Sequence, residues 1–173
     1  VHGSTTSTQG TTVDRDAPAA LAPGRLRKLS FEVDQPGREP QIYSSGNTAL
    51  MRSGKGAFRV QAQFDSDPRL PAPSFAVTLH SMDGRIIASA GAWNDQVTLQ
   101  RGTDGSGWVE VCFDALAVLK GTYTLSVFLF CERGLHIYDS ADHVLHLEVV
   151  QDGLEQGLFH VPRKWTTRAH SGS

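Results

Sequence analysis

The sequence predicts an all-β fold in which antiparallel strands form a sandwich. From Arg25 onward, short runs that alternate apolar and polar residues recur, and turn-forming residues separate them. No long stretch shows the 3.6-residue periodicity of an amphipathic helix. Strands with one apolar face each must stack two sheets to bury those faces. About eight to ten strands at this spacing are typical of a jelly-roll or immunoglobulin-like sandwich.

The first strands are predicted from alternation. Their core-facing residues are Leu29, Phe31 and Val33 in LSFEV, Phe58, Val60, Ala62 and Phe64 in AFRVQAQF, and Phe75, Val77 and Leu79 in SFAVTLHSM. The turn MDG, Met82 to Gly84, joins the third run to RIIASAGAW.

The later strands follow the same rule. After the turn DGSG, the core-facing residues are Val109, Val111 and Phe113 in WVEVCF, Tyr123, Leu125, Val127 and Leu129 in YTLSVFLFC, and Leu145, Leu147 and Val149 in VLHLEVV. Between them FDALAVLKG, residues 113–121, predicts a single helical turn that crosses between the sheets.

Composition predicts one folded domain. The 173 residues are 39% hydrophobic with a net charge of -2, which fits a substantial core and no basic stripe for nucleic acid. Residues 1–24 are rich in Ser, Thr, Gly, Ala and Pro and predict a flexible linker, with a cloning remnant at VHGS and something attached upstream. We expect the sandwich over residues 25–165 and a flexible tail over 166–173.

No run approaches the roughly 20 apolar residues of a membrane-spanning helix, and no signal-type region begins the sequence. We therefore expect a soluble intracellular protein. RSGKGAF lacks the upstream glycine and the Ser or Thr of a nucleotide-binding loop, so it predicts a hairpin turn. No GxSxG elbow occurs, which argues against an enzyme; a carbohydrate-active enzyme using unpaired acids is the lowest-ranked alternative.

The sequence predicts neither a cofactor nor a metal site. Cys112 and Cys131 lie within strand-type runs and predict reduced thiols that act as small apolar residues. Seven histidines are spread over several segments. The spacing of His143 and His146 in HVLH places their side chains on opposite faces of a regular strand, which is wrong for joint ligation.

A binding face is predicted on the strand residues that are out of phase with the core. Aromatic surfaces flanked by hydrogen-bonding groups suit sugars, whose faces alternate between C–H patches and hydroxyls. Alternatively, these residues are covered by protein, as in a central strand or under a dimer contact. The candidate carbohydrate-binding residues are His80, Arg85, Trp93, Phe130, Glu132, Arg133, His136 and Tyr138, where His136 and Tyr138 are set opposite Leu135 and Ile137.

The order of three segments carries a resemblance to a known family. FDALAVLKGTYTLSVFLF fits F-x2-L-x2-L-x-G-x-Y-x-L-x-V, and GLHIYDSADHVLHLEVV and GLFHVPRKW follow it. Together they resemble the C-terminal carbohydrate-binding domain of Wzt-type proteins, the ATPase subunits of bacterial ABC transporters that export O-antigen polysaccharides. SFAVTLHSMDGRIIASAGAWND also resembles the family, although Trp93 stands where relatives often carry small polar residues.

The resemblance implies a non-catalytic domain that binds the non-reducing, often terminally modified end of its export polysaccharide. It implies an upstream ATPase domain, a transmembrane permease partner and a place at the cytoplasmic face of the inner membrane. For an anionic cap, Arg85, Arg133, Arg163 or Lys164 would supply charge-assisted hydrogen bonds. The competing interpretation is a dimerisation or scaffold domain without direct glycan binding.

The resemblance also implies a homodimer in which the C-terminal strand packs on the partner or is exchanged with it. GLFHVPRKW suits an edge strand that Pro162 ends. We expect the dimer contact at Leu158, Phe159, Val161 and Trp165.

Overall fold

The computed structural model describes residues 22–169. Within this range it contains no helix and nine strands: β1 Gly24–Asp34, β2 Gln41–Tyr43, β3 Thr48–Arg52, β4 Ala57–Ser66, β5 Ser74–Ser81, β6 Ile86–Gly91, β7 Ser106–Phe113, β8 Gly121–Phe130 and β9 Ile137–Val150. None of the described segments is therefore a helix long and apolar enough to cross a membrane.

The strands form two sheets, which confirms the predicted sandwich. One sheet has four strands in the order β2-β1-β4-β7, and the other has five in the order β3-β9-β8-β5-β6. All pairings are antiparallel except that of β3 with β9, which is parallel. β8 is central in its sheet, so both of its faces carry buried residues.

The core lies between the sheets and contains the residues predicted from alternation. Phe31, Phe58 and Phe64 from the four-stranded sheet are at most 1% exposed, as are Leu129 and Leu147 from the other sheet. Burying each such side chain contributes about 1.5–3 kcal/mol relative to leaving it in water. The alternating runs therefore fix which face of each strand points inward.

The linker and tail predictions fall largely on residues 1–21 and 170–173, which lie outside the described residues. At the boundary, Gly24, the last residue of the predicted linker, is the first residue of β1. The carbonyl of Pro23 also accepts a hydrogen bond from the N–H of Asp67 at 3.1 Å.

Two predicted connections differ in the structure. FDALAVLKG contains no helix; its residues form a turn at Asp114 and Ala115 and an irregular segment that leads into β8. RSGKGAF is not a hairpin, because β3 and β4 belong to different sheets and the segment carries the chain from one to the other. A side chain at Gly56 would place its Cβ 2.0 Å from the carbonyl oxygen of Asp34, so this crossing needs glycine there.

The two thiols are both free, but only one is buried. Cys131 lies inside, whereas Cys112 is exposed on the outer face of β7, since Val111 and Phe113 face the core. Cys112 is therefore a free thiol, as predicted, but it is not a buried apolar residue.

The predicted edge strand in GLFHVPRKW is reduced to a single bridge, between Phe159 and Val118. The N–H of Leu119 donates to the carbonyl of Leu158 at 2.8 Å, and the N–H of His160 donates to the carbonyl of Ala117 at 2.9 Å. The segment thus attaches to its own chain just before β8.

Candidate functional site

An open groove of about 740 Å³ lies at one end of the five-stranded sheet. Its walls come from three parts of the chain: the loop before β5 with Pro71 and Pro73, the loop after β6 with Trp93 and Gln96, and Glu132 just beyond β8. We call it the Trp93 groove.

Trp93 is held firmly although its side chain is 58% exposed. The backbone N–H of Trp93 donates to the Ser74 hydroxyl at 3.0 Å. The backbone N–H of Val97 donates to the carbonyl of Ala92 at 2.8 Å, which closes the loop. A Cβ on Gly134 would lie 3.6 Å from the Trp93 side chain, so the hairpin between β8 and β9 lies against the indole. The ring is a pre-positioned apolar surface.

Polar groups surround this ring. Asn94, Gln96, Thr98 and Glu132 line the groove, and the Asn94 amide donates to Asp95 at 3.0 Å. An indole bordered by amide, hydroxyl and carboxylate groups can stack on the C–H face of a sugar and pair with its hydroxyls.

An ionic clamp fixes the wall that carries Pro71 and Pro73. The Asp67 carboxylate accepts hydrogen bonds from the guanidinium of Arg69 at 2.7, 2.9 and 3.2 Å and from its backbone N–H at 2.9 Å. These bonds lower the pKa of Asp67 to about 2. Arg101 donates to the Ser66 hydroxyl and to the carbonyls of Asp67 and Leu70, which ties the wall to the end of β4.

Among the predicted carbohydrate-binding residues, the groove brings together Trp93 and Glu132. Phe130 lies at the end of β8 beside it, half-buried, with its ring centroid 5.7 Å from that of Phe128. Arg133 and His136 are exposed on the adjoining hairpin.

His80 and Arg85 lie at the other end of β5, because Trp93 contacts Ser74 at the strand's start. Eight residues of strand span roughly 25 Å. Arg85 is engaged with Asp83 at 3.2 Å, and His80 is 9% exposed. The structure therefore does not place these two side chains in the Trp93 groove.

Tyr138 does not face the predicted surface either. A register shift in β9 pairs Phe130 with Ile137 but Leu129 with Asp139. The shift reverses which residues of β9 face the core on either side of it. Leu135 and Ile137, predicted to face inward, are 66% and 58% exposed. Tyr138 is half-buried, its Cδ2 would lie 2.9 Å from a Cβ on Gly24, and burial raises the pKa of its hydroxyl.

The prediction that His143 and His146 face opposite ways is also wrong. β9 carries extra residues opposite Ser126, since Leu125 pairs with Leu145 and Val127 pairs with Ala141. His143 therefore contacts Thr124, which pairs with His146 on the same outer face. Within residues 22–169 no group of three or more His, Cys, Asp or Glu side chains is placed to hold a metal ion.

The C-terminal segment exposes the predicted dimer-contact residues. Leu158, Phe159, Val161 and Trp165 are 46%, 37%, 65% and 86% exposed. Glu155 holds the segment together by a hydrogen bond with His160 at 2.8 Å and an ion pair with Arg163 at 2.5 Å, and hydrogen bonds from these partners lower its pKa.

Sequence reasoning missed Asn94, Gln96 and the Pro71–Pro73 wall. The polar run NDQ directly after Trp93 was a usable signal, because a turn behind an exposed aromatic places its side chains beside the ring. The clamp between Asp67, Arg69 and Arg101 has no comparable signature, since it joins a loop to a distant segment.

The chain is similar to known proteins in its structure but not in its sequence. No family model and no curated protein matches the sequence. Among solved structures, the C-terminal domain of Wzt is similar with a TM-score of 0.59 and 10% identity, over 84% of this chain and 87% of that one. The Pseudomonas fluorescens alkylpurine DNA glycosylase AlkC, bound to DNA with an abasic site analog, has a TM-score of 0.34 and 12% identity over 70% of this chain and 30% of that one. The first match shows that this chain has the fold of the Wzt C-terminal domain; the second carries no argument.

Proposed function

We propose that this domain is a non-catalytic carbohydrate-binding domain that recognises the non-reducing end of an O-antigen polysaccharide. The observation that carries the proposal is the Trp93 groove, an exposed indole bordered by amide and carboxylate groups. It occurs on a fold shared with the C-terminal domain of Wzt.

In this proposal the Trp93 ring stacks on the C–H face of a terminal sugar. Gln96 and Glu132 pair with its hydroxyls, because an amide both donates and accepts hydrogen bonds and a carboxylate accepts them. Arg133 and His136, exposed on the adjoining hairpin, are the nearest predicted groups for a modified terminus. Arg85, at the far end of β5, would contact a later sugar rather than the end.

The domain would act within an export ABC transporter. An upstream ATPase domain and a transmembrane permease would supply the transport, at the cytoplasmic face of the inner membrane. The sandwich over residues 25–165 would report that the chain has been terminated, which couples termination to export.

A homodimer is the proposed assembly, with the C-terminal segment at the contact. Within residues 22–169, a single bridge made by two backbone hydrogen bonds attaches Leu158–His160 to the chain before β8. The same bonds could be made to the partner subunit, which is the basis of strand exchange.

The alternative, a dimerisation or scaffold domain without glycan binding, is favoured by one observation. Leu154, Val161 and Trp165 of the C-terminal segment are 93%, 65% and 86% exposed, and exposed apolar side chains that lie together mark contacts with other proteins. In that case the aromatic surface would meet protein and the Trp93 groove would stay empty.

The deciding experiment is calorimetric titration of the protein with purified polysaccharide from the parent bacterium, before and after enzymatic removal of the terminal residue. We expect binding to the intact chain and its loss on trimming. Equal affinity for both chains would contradict end recognition, and dimerisation without binding to either would favour the scaffold alternative.

A further inference from the structure

Two histidine rings from different strands meet on the outer face of the five-stranded sheet, away from the Trp93 groove. The centroids of His80 on β5 and His143 on β9 are 4.9 Å apart, with the ring planes tilted by 59°. The two residues are 63 positions apart in sequence (143 − 80). This pair has no role in the proposed glycan site.

A distortion of β9 creates the pair. His143 has φ of 48°, a left-handed conformation that is uncommon for a residue with a side chain. Its N–H leaves the regular ladder and donates to the hydroxyl of Ser126, which is 1% exposed, at 2.8 Å. Strained backbone of this kind persists where the surrounding contacts hold it, often at binding sites.

Each ring is oriented through one nitrogen by a threonine hydroxyl. Thr78 Oγ1 lies 2.7 Å from Nε2 of His80, and Thr124 Oγ1 lies 2.7 Å from Nδ1 of His143. When each hydroxyl oxygen accepts an N–H, the other nitrogen of each neutral ring carries a free lone pair. Those nitrogens are Nδ1 of His80 and Nε2 of His143.

Nδ1 of His80 is the observation that points to a ligand. It is buried and has no hydrogen-bond partner within the described part of the chain, in a residue that is 9% exposed. A buried polar atom without a partner costs free energy, so a group that supplies the missing partner is stabilising there.

We propose that His80 and His143 form a two-histidine site for a divalent transition-metal ion of the Zn²⁺, Ni²⁺ or Cu²⁺ class. Two imidazoles on one tetrahedral ion, with metal–nitrogen bonds of about 2.0–2.1 Å, have ring centroids about 5 Å apart. The observed 4.9 Å agrees with that separation.

The threonines fit the same assignment. Metal-binding histidines donate their other N–H to an oxygen that fixes the ring, and Thr78 and Thr124 occupy that position. Imidazole ligands select transition metals rather than Ca²⁺ or Mg²⁺, which prefer oxygen. Since no third side chain of a ligating type joins the pair among residues 22–169, the remaining positions would hold water.

The test is titration of the tag-free protein with Zn²⁺, Ni²⁺, Cu²⁺ and Co²⁺ by calorimetry, beside the variants His80→Gln and His143→Gln. The control is His160→Gln, an exposed histidine paired with Glu155 elsewhere. We expect one ion per chain in the wild type, affinities in the order Co²⁺ < Ni²⁺ < Cu²⁺ > Zn²⁺, and about tenfold or greater weakening in either test variant. His160→Gln should bind as the wild type does.

The variants Thr78→Val and Thr124→Val distinguish a metal-binding site from two histidine rings that only contact each other. They keep both imidazoles but remove the orienting oxygens, so we expect metal affinity to fall by roughly 10- to 100-fold. The shift of the thermal midpoint on adding Zn²⁺, measured for each variant against its own EDTA-treated sample, controls for altered folding. Wild-type binding that both histidine variants retain, or no stoichiometric binding at all, would overturn the proposal.

Discussion

Asp67 and Arg69, two residues apart, form a two-pronged ion pair in which Nε and Nη2 of the guanidinium contact both carboxylate oxygens. The side chain of Asp67 is 7% exposed and that of Arg69 is 73% exposed, so the pair covers a buried carboxylate with an exposed cation. The loop they fix leads directly into Pro71 and Pro73, a wall of the Trp93 groove.

The first prediction concerns acid stability. The pKa of Asp67 is about 2 in the folded chain, below the ordinary value of 3.8, so the ionised form stabilises the fold. This stability is fully present above pH 3.8 and is lost as the pH falls toward 2. Asp67→Asn should therefore lower the thermal midpoint at pH 7 and reduce its acid dependence between these values. Asp65→Asn, which removes an exposed pair with Arg27, is the control and should change little.

The second prediction concerns Trp93. Replacing it with alanine removes the stacking surface and should weaken binding of the polysaccharide end by about 0.5–1.5 kcal/mol, roughly two- to twelvefold. Trp108→Ala is a matched control, because Trp108 is 55% exposed against 58% for Trp93 but lies on β7 of the other sheet. Equal losses in the two variants, measured by calorimetry, would contradict the assignment of the groove.

The third prediction concerns two glycines with nearly the same backbone. Gly105 and Gly84 have φ of +85° and +86°, but a Cβ on Gly105 would lie 1.8 Å from the Ser66 carbonyl oxygen, whereas a Cβ on Gly84 meets nothing within 4 Å. Gly84→Ala should cost about 1–2 kcal/mol from the left-handed conformation alone. Gly105→Ala should cost more, because it also displaces the backbone at Ser66, and denaturant unfolding measures the difference. Similar losses would show that the contact relaxes freely.

The fourth prediction concerns the core. Phe58 is 0% exposed at the sheet interface, so Phe58→Ala should lower the free energy of unfolding by about 3–5 kcal/mol. Ile42→Ala, at a side chain that is 71% exposed, should remain within about 0.5 kcal/mol of the wild type. Urea unfolding of both variants tests the burial assigned to these positions.

The fifth prediction concerns assembly. A chain ending at Gln156 loses Leu158, Phe159, Val161 and Trp165, and we expect it to be monomeric at concentrations where the longer chain is dimeric. Sedimentation velocity measures this. A stable dimer of the shortened chain would place the contact elsewhere.

The sandwich was predictable from the sequence because its core residues alternate with polar ones on long, regular strands. Phe58, Val60 and Phe64 show this pattern clearly, and all three are at most 1% exposed. Which strands would be neighbours was not predictable, because pairings such as parallel β3 with β9 join segments about a hundred residues apart, for example Thr48 with His146.

The candidate site was predictable in part. Trp93 and Glu132 are among the predicted carbohydrate-binding residues, and the structure brings them to one groove. Tyr138 and His143 are misplaced because two irregularities interrupt the alternation in β9. The register shift between Leu129 and Phe130 reverses the alternation at Tyr138, and the extra residues opposite Ser126 turn His143 to the outer face. A bulge has no reliable signature in a single sequence, so the faces assigned to residues at these irregularities could not be predicted.

The length of β9 bears on how many polysaccharide chains a dimer could bind at once. Its first residue, Ile137, follows the hairpin that borders the Trp93 groove, and its last, Val150, leads into the exposed C-terminal segment. Fourteen residues of strand span roughly 45 Å, so an oligosaccharide in the groove and a second subunit at the C-terminal end would not collide. A dimer joined there would hold its two grooves far apart, each available to a separate polysaccharide chain. Its gain in avidity would then depend on how closely those chains are spaced on the membrane.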